Sequence, residues 1–273
     1  MSLNNIEDIA AFIVADGKGI LAADESNPTC GKRFDSIGVE STEENRRDYR
    51  ELLFRSKGMK DNIGGVILFD ETIRQSAKDG TLLRDVIKNQ GALPGIKVDK
   101  GLQPLEDCLG ETVTVGLDGL DERLKEYSSM GAKFTKWRAV INIGDGLPTD
   151  KCIDANMEAL ADYAKCAQDN EMVPIVEPEV LMDGEHSIDE CYEATERSLK
   201  SLFEHLDKKG VNIKGTLLKP NMVTSGKDAS VQAGIDEVAK KTLDCLIANV
   251  PADLPGITFL SGGQSDVLSL IHI

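Results

Sequence analysis

Lys219 stands near the C-terminal end of an apolar stretch, Gly215-Thr216-Leu217-Leu218-Lys219-Pro220-Asn221-Met222. The stretch reads as a short buried strand. An amine held where water is scarce loses its proton more readily and becomes a nucleophile toward carbonyls. The competing structural reading is a lysine that snorkels out of the strand end. Other polar residues occupy the same place in other apolar runs: Asp24, Glu25 and Ser26; Lys97; Lys136 and Arg138; Glu177 and Glu179; Ser261. In an α/β barrel all such strand ends share one face, and active sites are built there. Contact with solvent accounts for one or two polar strand ends. It does not readily account for Glu177 and Glu179, whose i, i+2 spacing points both carboxylates to one side, where they repel unless cations lie between them.

This complement suits imine chemistry. Lys219 would attack a carbonyl, and Lys136 is a cation on another strand that lowers the pKa of that amine. Glu177 would move protons while the carbinolamine dehydrates, and Asp24 would exchange the proton of the hydroxyl whose departure breaks a C–C bond. A protonated imine is itself an electron sink, so no cofactor and no metal is expected. The Gly262-Gly263 turn after Ser261 reads equally as a phosphate cradle of backbone N–H groups or as an ordinary glycine loop.

The elements that must position these groups alternate. Apolar runs at 18–26, 64–70, 95–100, 133–140, 173–179, 215–222 and 256–263 read as strands. Between them, a helix is expected over about 6–14, another from the capping-box pattern Ser41-Thr42-Glu43-Glu44, and a third over 120–127. Ile153, Met157, Leu160 and Ala164 mark a helix face, as do Ile188, Tyr192, Leu199, Leu202 and Leu206 behind the cap Ser187/Glu190, and Ile235, Val238, Thr242 and Cys245. Residues 27–33 are expected to form a loop, and 111–115 part of an excursion such as a hairpin. Strand–helix alternation is the pattern of parallel βαβ units. The fold class is α/β, a (β/α)8 TIM barrel, with seven of the eight strands in the chain.

The formal charge of −16 disfavours nucleic acid as a partner. No apolar run approaches membrane-span length, so no membrane role is expected. The N-terminus has neither a basic start nor an apolar signal core, and a cytoplasmic protein is expected. Cys30, Cys108, Cys152, Cys166, Cys191 and Cys245 are scattered and read as reduced, mostly buried thiols. The histidines are His186, His205 and His272, a poor supply for a metal site.

Several motifs together resemble the class I (Schiff-base) fructose-bisphosphate aldolases: GKGILAADES at 17–26, EENRR at 43–47, GGVILFDET at 64–72, GIKVDKG at 95–101, KWR at 136–138, PIVEPE at 174–179, GTLLKPNMV at 215–223 and GITFLSGGQS at 256–265. The resemblance implies reversible cleavage of fructose 1,6-bisphosphate to dihydroxyacetone phosphate and glyceraldehyde 3-phosphate, in glycolysis and gluconeogenesis. It makes Lys219 the Schiff-base lysine, Glu177 the main proton carrier and Asp24 the residue acting on the C4 hydroxyl, with Lys136 and Glu179 in the charge network. Ser26, Lys97 and Arg138 would hold substrate. Lys32 and Arg33 would lie near the far phosphate, and Ser261, Gly262 and Gly263 would hold the phosphate beside the ketone. Thr29 stands in a loop that departs from the Thr-Gly-Ser of many relatives but keeps a hydroxyl. The resemblance also implies a homotetramer, and includes members that bind cytoskeletal partners.

The family continues after SGGQS into an eighth strand with a phosphate-binding arginine, and this chain ends Asp266-Val267-Leu268-Ser269-Leu270-Ile271-His272-Ile273. Residues 1–265 are therefore read as an incomplete aldolase barrel and 266–273 as a non-native tail, with Leu268-Ser269-Leu270-Ile271-His272-Ile273 matching a frame of a sequencing adaptor. The alternatives are a catalytically impaired fragment or binding scaffold of the same family, separated by turnover, and a Schiff-base lyase for another sugar phosphate, separated by a substrate panel.

Overall fold

The computed structural model describes residues 3–260. In chain order the elements are α1 (Ile6–Ile13), β1 (Gly19–Ala23), α2 (Asn27–Asp35), α3 (Glu43–Phe54), α4 (Met59–Asn62), β2 (Ile63–Leu68), α5 (Asp70–Arg74), α6 (Leu83–Asn89), β3 (Leu93–Lys97), β4 (Leu102–Pro104), β5 (Thr112–Thr114), α7 (Leu120–Ser129) and β6 (Phe134–Ile141). The series continues with α8 (Asp150–Asp169), β7 (Val173–Val180), α9 (Ile188–Lys208), a 3-10 turn (Ile213–Gly215), β8 (Leu217–Leu218) and α10 (Ile235–Asn249). Six strands pair in parallel in the order β1-β2-β3-β6-β7-β8. A single parallel bridge, Leu218 with Ile257, adds a seventh position. This is the βα order of a (β/α)8 barrel. The excursion at 111–115 is the second strand of an antiparallel pair, β4 with β5.

The period of two along each strand sorts side chains to two faces. Leu21, Ala23, Val66, Leu68, Ile96, Trp137, Ala139, Val176 and Leu218 pack outward into the main core under the helices. Ile67, Phe134, Val173, Ile175 and Leu217 point the other way and form a second apolar cluster with Ile9, Ala10 and Ile13 of α1. This inner cluster is the floor of the barrel, and α1 closes it. Its packing explains two glycines. A Cβ on Gly64 would lie 2.4 Å from the Ile13 carbonyl oxygen, and one on Gly95 would lie 2.4 Å from the Phe134 ring.

The helices follow the apolar stripes. Ser187 and Glu190 form a reciprocal capping box at the start of α9, as expected. The start of α3 differs by one residue: Thr42, not Ser41, is the cap, accepting from the Asn45 amide, because the helix begins at Glu43. Residues 27–33 are helical rather than a loop. Asn27-Pro28 resembles a turn signal, but proline fits the first turn of a helix, where its missing N–H leaves no gap in the hydrogen bonding.

The lysine strand is shorter than expected. Its N-terminal part is the 3-10 turn capped by Asn212, and Pro220 carries no N–H to extend the ladder. The Lys219 amide nonetheless donates to the Val176 carbonyl at 2.9 Å, so the backbone stays in register through the lysine. Of the strand expected at 256–263, the described residues 256–260 form only the bridge at Ile257, with Thr258 N–H donating to the Leu218 carbonyl at 2.8 Å; residues 261–263, and the 265/266 boundary, lie outside the described residues.

Candidate active site

On β6, β7 and β8 the inward positions that make the apolar floor (Phe134, Ile175 and Leu217) are followed, two residues farther along, by charged groups. Asp24 follows β1, Lys97 ends β3, Lys136 and Arg138 lie on β6, Glu177 and Glu179 on β7, and Lys219 follows β8. Parallel register sets Lys97 beside Lys136 and Arg138 beside Glu177. Strands β1, β3, β6, β7 and β8 thus each bring charge to their C-terminal ends, and the sheet gathers these charges on one face.

Glu177 is the hub. It is 2% exposed, and its two oxygens serve different lysines. Oε1 accepts from Lys219 Nζ in a short ion pair, and Oε2 lies 3.2 Å from Lys136 Nζ. Lys136 Nζ is also 2.8 Å from Asp24 Oδ2. The chain Lys219–Glu177–Lys136–Asp24 is therefore continuous across β6 and β7 and the residues that follow β8 and β1. Burial alone would push the Lys136 ammonium toward neutrality. Glu177 and Asp24 together outweigh it and hold the Lys136 pKa above the ordinary lysine range.

Glu179 points to the same side as Glu177 and pairs with Arg138 Nε. Burial opposes the charge on Arg138, and Glu179 more than offsets it, so its pKa moves up. The i, i+2 carboxylates do have cations between and around them, three in all: Lys136, Lys219 and Arg138. Lys97 Nζ is 2.6 Å from Asp99 Oδ1. The Ser26 and Thr29 hydroxyls are 3.0 Å apart at the first turn of α2.

Lys32 and Arg33 lie in the last turn of α2. Lys32 is exposed, and Arg33 pairs with Glu25. These two are not joined to the central chain of ion pairs. Ser261, Gly262 and Gly263 lie outside the described residues.

Three residues had no assigned role in the sequence reading. Asp99 is two residues beyond Lys97, the spacing that singled out Glu177 and Glu179, so the same rule finds it. Asn221, just past the lysine, accepts from the Val180 amide at 3.1 Å and donates to the Thr195 hydroxyl at 3.0 Å, tying the ends of β7 and β8 to α9. Arg50 is fully buried beneath the end of β1. It gave no signal, because a helix of charged residues looks solvated until its partner is known.

The cysteines are free; Cys30, Cys152, Cys191 and Cys245 are buried, and Cys108 and Cys166 are partly so. Burial pushes the Cys152 thiol up to about 12, which leaves it protonated and inert. Among the described residues no helix is long and apolar enough to cross a membrane.

Known proteins are similar to this chain along most of its length. The family model for fructose-bisphosphate aldolase class-I matches residues 5–273. A probable fructose-bisphosphate aldolase class 1 of Xanthomonas campestris pv. campestris is 55% identical over 273 residues, which is all of this chain and 82% of that protein. The cytosolic fructose-bisphosphate aldolase 4 of Arabidopsis thaliana is 50% identical over 97% of this chain and 67% of its own length. Among solved structures, the fructose-bisphosphate aldolase of Plasmodium falciparum, in a ternary complex with TRAP and a small-molecule inhibitor, superimposes with a TM-score of 0.93. It is 48% identical, covering 95% of this chain and 75% of that one. With a lysine, its carboxylate partner and a second lysine joined at the mouth of a parallel barrel, and with half the sequence shared along its length, the chain belongs to the class I fructose-bisphosphate aldolase family.

Proposed function

We propose that this aldolase cleaves fructose 1,6-bisphosphate reversibly through an imine on Lys219, with Glu177 as proton carrier and Asp24 acting on the C4 hydroxyl. The observation that carries the reading is the two-sided carboxylate of Glu177, one oxygen on Lys219 and the other on Lys136. The Lys219 ammonium has Glu177 as its ion-pair partner, whereas Lys136 has two carboxylates. Of the two lysines, Lys136 therefore keeps its proton and Lys219 is the one that gives its proton to Glu177. The free amine then adds to the C2 carbonyl. Glu177 returns a proton to the carbinolamine oxygen, water leaves, and the protonated imine forms.

Asp24 takes the C4 hydroxyl proton. The C3–C4 bond breaks, its electron pair moves into the imine to give an enamine, and glyceraldehyde 3-phosphate departs. Protonation at C3 and hydrolysis of the imine release dihydroxyacetone phosphate and restore the amine. Lys136, held charged beside Asp24 and Glu177, stabilises both carboxylates in their ionised turns. Arg138, Lys97, Ser26 and Thr29 hold substrate, Lys32 and Arg33 serve the far phosphate, and Ser261, Gly262 and Gly263 the near one. Glu179 keeps Arg138 in place.

The relatives' greater length supports reading the chain as the larger, N-terminal part of a longer aldolase, with residues 1–265 as barrel and 266–273 as tail. The working form is a cytoplasmic homotetramer, and a cytoskeletal partner is carried as a binding role to be tested by cosedimentation.

Borohydride reduction with dihydroxyacetone phosphate, followed by peptide mapping, tests the amine. The adduct should sit on Lys219 and vanish in Lys219→Met, with EDTA having no effect. An adduct on Lys97 or Lys136 in the parent chain would show that another amine is the nucleophile.

A further inference from the structure

Arg50 is 0% exposed, a rare environment for a guanidinium. It reaches from the inner face of α3 to the end of β1. Its Nε donates to the Ala23 carbonyl at 3.2 Å and its Nη2 to the Glu25 carbonyl at 2.6 Å. Those two carbonyls flank Asp24. In extended backbone the carbonyls of residues i and i+2 point the same way, so one planar fork spans both and fixes the peptide planes on either side of residue i+1. Nη2 also lies 3.6 Å from Glu25 Oε2, and the Glu25 carboxylate accepts from Arg33 and from the Tyr49 hydroxyl.

Stability alone does not account for this arginine. Its Nη1 has no hydrogen-bond partner, and a buried cation with incomplete pairing is costly where an apolar side chain of similar size would fill the space. The ladder of β1 with β2 ends at Ala23, so Asp24 lies just past the last strand pairing. What Arg50 adds there is direction.

We propose that Arg50 is a positioning residue for Asp24. By gripping the carbonyls of Ala23 and Glu25 it holds the end of β1 extended and keeps the Asp24 carboxylate 2.8 Å from Lys136 and aimed at the hydroxyl it deprotonates. The inference rests on the proposed role of Asp24 in C–C cleavage. Arg50 touches neither substrate nor the reacting atoms.

The test uses the full chain, with Arg50→Lys, Arg50→Met, Asp24→Asn and the double variant Arg50→Lys/Asp24→Asn. A lysine keeps the charge but cannot bridge two carbonyls and a carboxylate at once. A misplacement of about 1 Å costs on the order of 10²-fold in rate, so Arg50→Lys should lose roughly that in kcat for fructose 1,6-bisphosphate cleavage. Its KM should stay within about twofold of the parent's, as expected when the interaction matters only in the transition state.

Borohydride trapping with dihydroxyacetone phosphate should proceed at the parental rate, because Lys219 and Glu177 are untouched. The double variant should be no slower than Asp24→Asn alone. Losses that multiply in the double variant, parental kcat in Arg50→Lys, or an equal fall in imine trapping would each overturn the proposal. So would failure of both Arg50 variants to unfold cooperatively in urea, which would make Arg50 a folding residue. Parental turnover in Asp24→Asn would instead remove the role of Asp24, whatever Arg50 does.

Discussion

Gly95→Ala tests whether the barrel floor sets the site above it. A Cβ at this position would lie 2.4 Å from two atoms of the Phe134 ring and 2.5 Å from a third. Carbon atoms rest at about 3.5–4.0 Å, so the overlap to be relieved is roughly 1.1–1.6 Å. Neither partner is free to give way. Gly95 pairs with Phe134 in the β3–β6 ladder, and the ring is fully buried among Ile13, Ile67, Val173 and their neighbours. Overpacking of this kind costs about 1–3 kcal/mol, which for a chain of this size lowers Tm by roughly 2–4 °C per kcal/mol.

Urea unfolding of the full chain measures it, and Phe134→Leu supplies the control. The leucine variant is destabilised by the cavity it leaves, but in the double variant the added methyl occupies part of that cavity. The double variant should therefore be more stable than the sum of the single effects, by about 0.5–3 kcal/mol. Phe134 is two residues from Lys136 on the same strand, so folded Gly95→Ala should also turn over more slowly. A Gly95→Ala chain within about 0.5 kcal/mol of the parent, a change typical of neutral surface sites, would refute the account of the floor.

Lys136 should leave a signature at alkaline pH. Its pKa is raised in the folded chain, so its contribution to stability is complete below the unfolded value of about 10.4 and is lost as pH rises through the folded value. Between roughly pH 8 and about pH 11 the parent should lose more stability to urea than Lys136→Met does; equal slopes would mean that Asp24 and Glu177 do not hold this ammonium charged. Asp99→Asn should weaken the grip on Lys97 Nζ, now 2.6 Å away. A charged hydrogen bond contributes about 1.5–3 kcal/mol, less here because Lys97 is partly exposed, so KM for the bisphosphate should rise by at most about tenfold with little change in kcat. Steady-state kinetics decide it, and an unchanged KM would remove Asp99 from the site.

Much of this architecture was legible because two periods run through the sequence. The alternation of Phe134, Lys136 and Arg138 with Thr135, Trp137 and Ala139 states which residues face the barrel interior before any coordinates are known. The same holds for Val173, Ile175, Glu177 and Glu179 on β7. The 3.6-residue stripes of α8 and α9 were equally plain. What could not be read were features decided by tertiary partners. Residues 27–35 carry a turn-like Asn-Pro and a glycine, yet they form a helix with Cys30 and Phe34 buried. Arg50 is one charge among many on a polar helix until α3 is laid against β1. The lysine strand contracts to two residues because a capped 3-10 turn and a proline bound it, details too local for a periodicity to register.

The barrel floor and the charges above it lie on the same face of the same strands, separated by a single step of two residues. This limits how such a chain can change in length. One residue inserted before Lys136 within β6 would turn the lysine toward the helices and set Trp137 in the lumen, disturbing the charged layer and the outer core together. Insertions and deletions are therefore confined to the connections between strands and helices, while the strands tolerate only exchanges in place. Connections such as the β4–β5 excursion can change in length, but the spacing between the apolar floor and Lys219 moves as one unit or not at all.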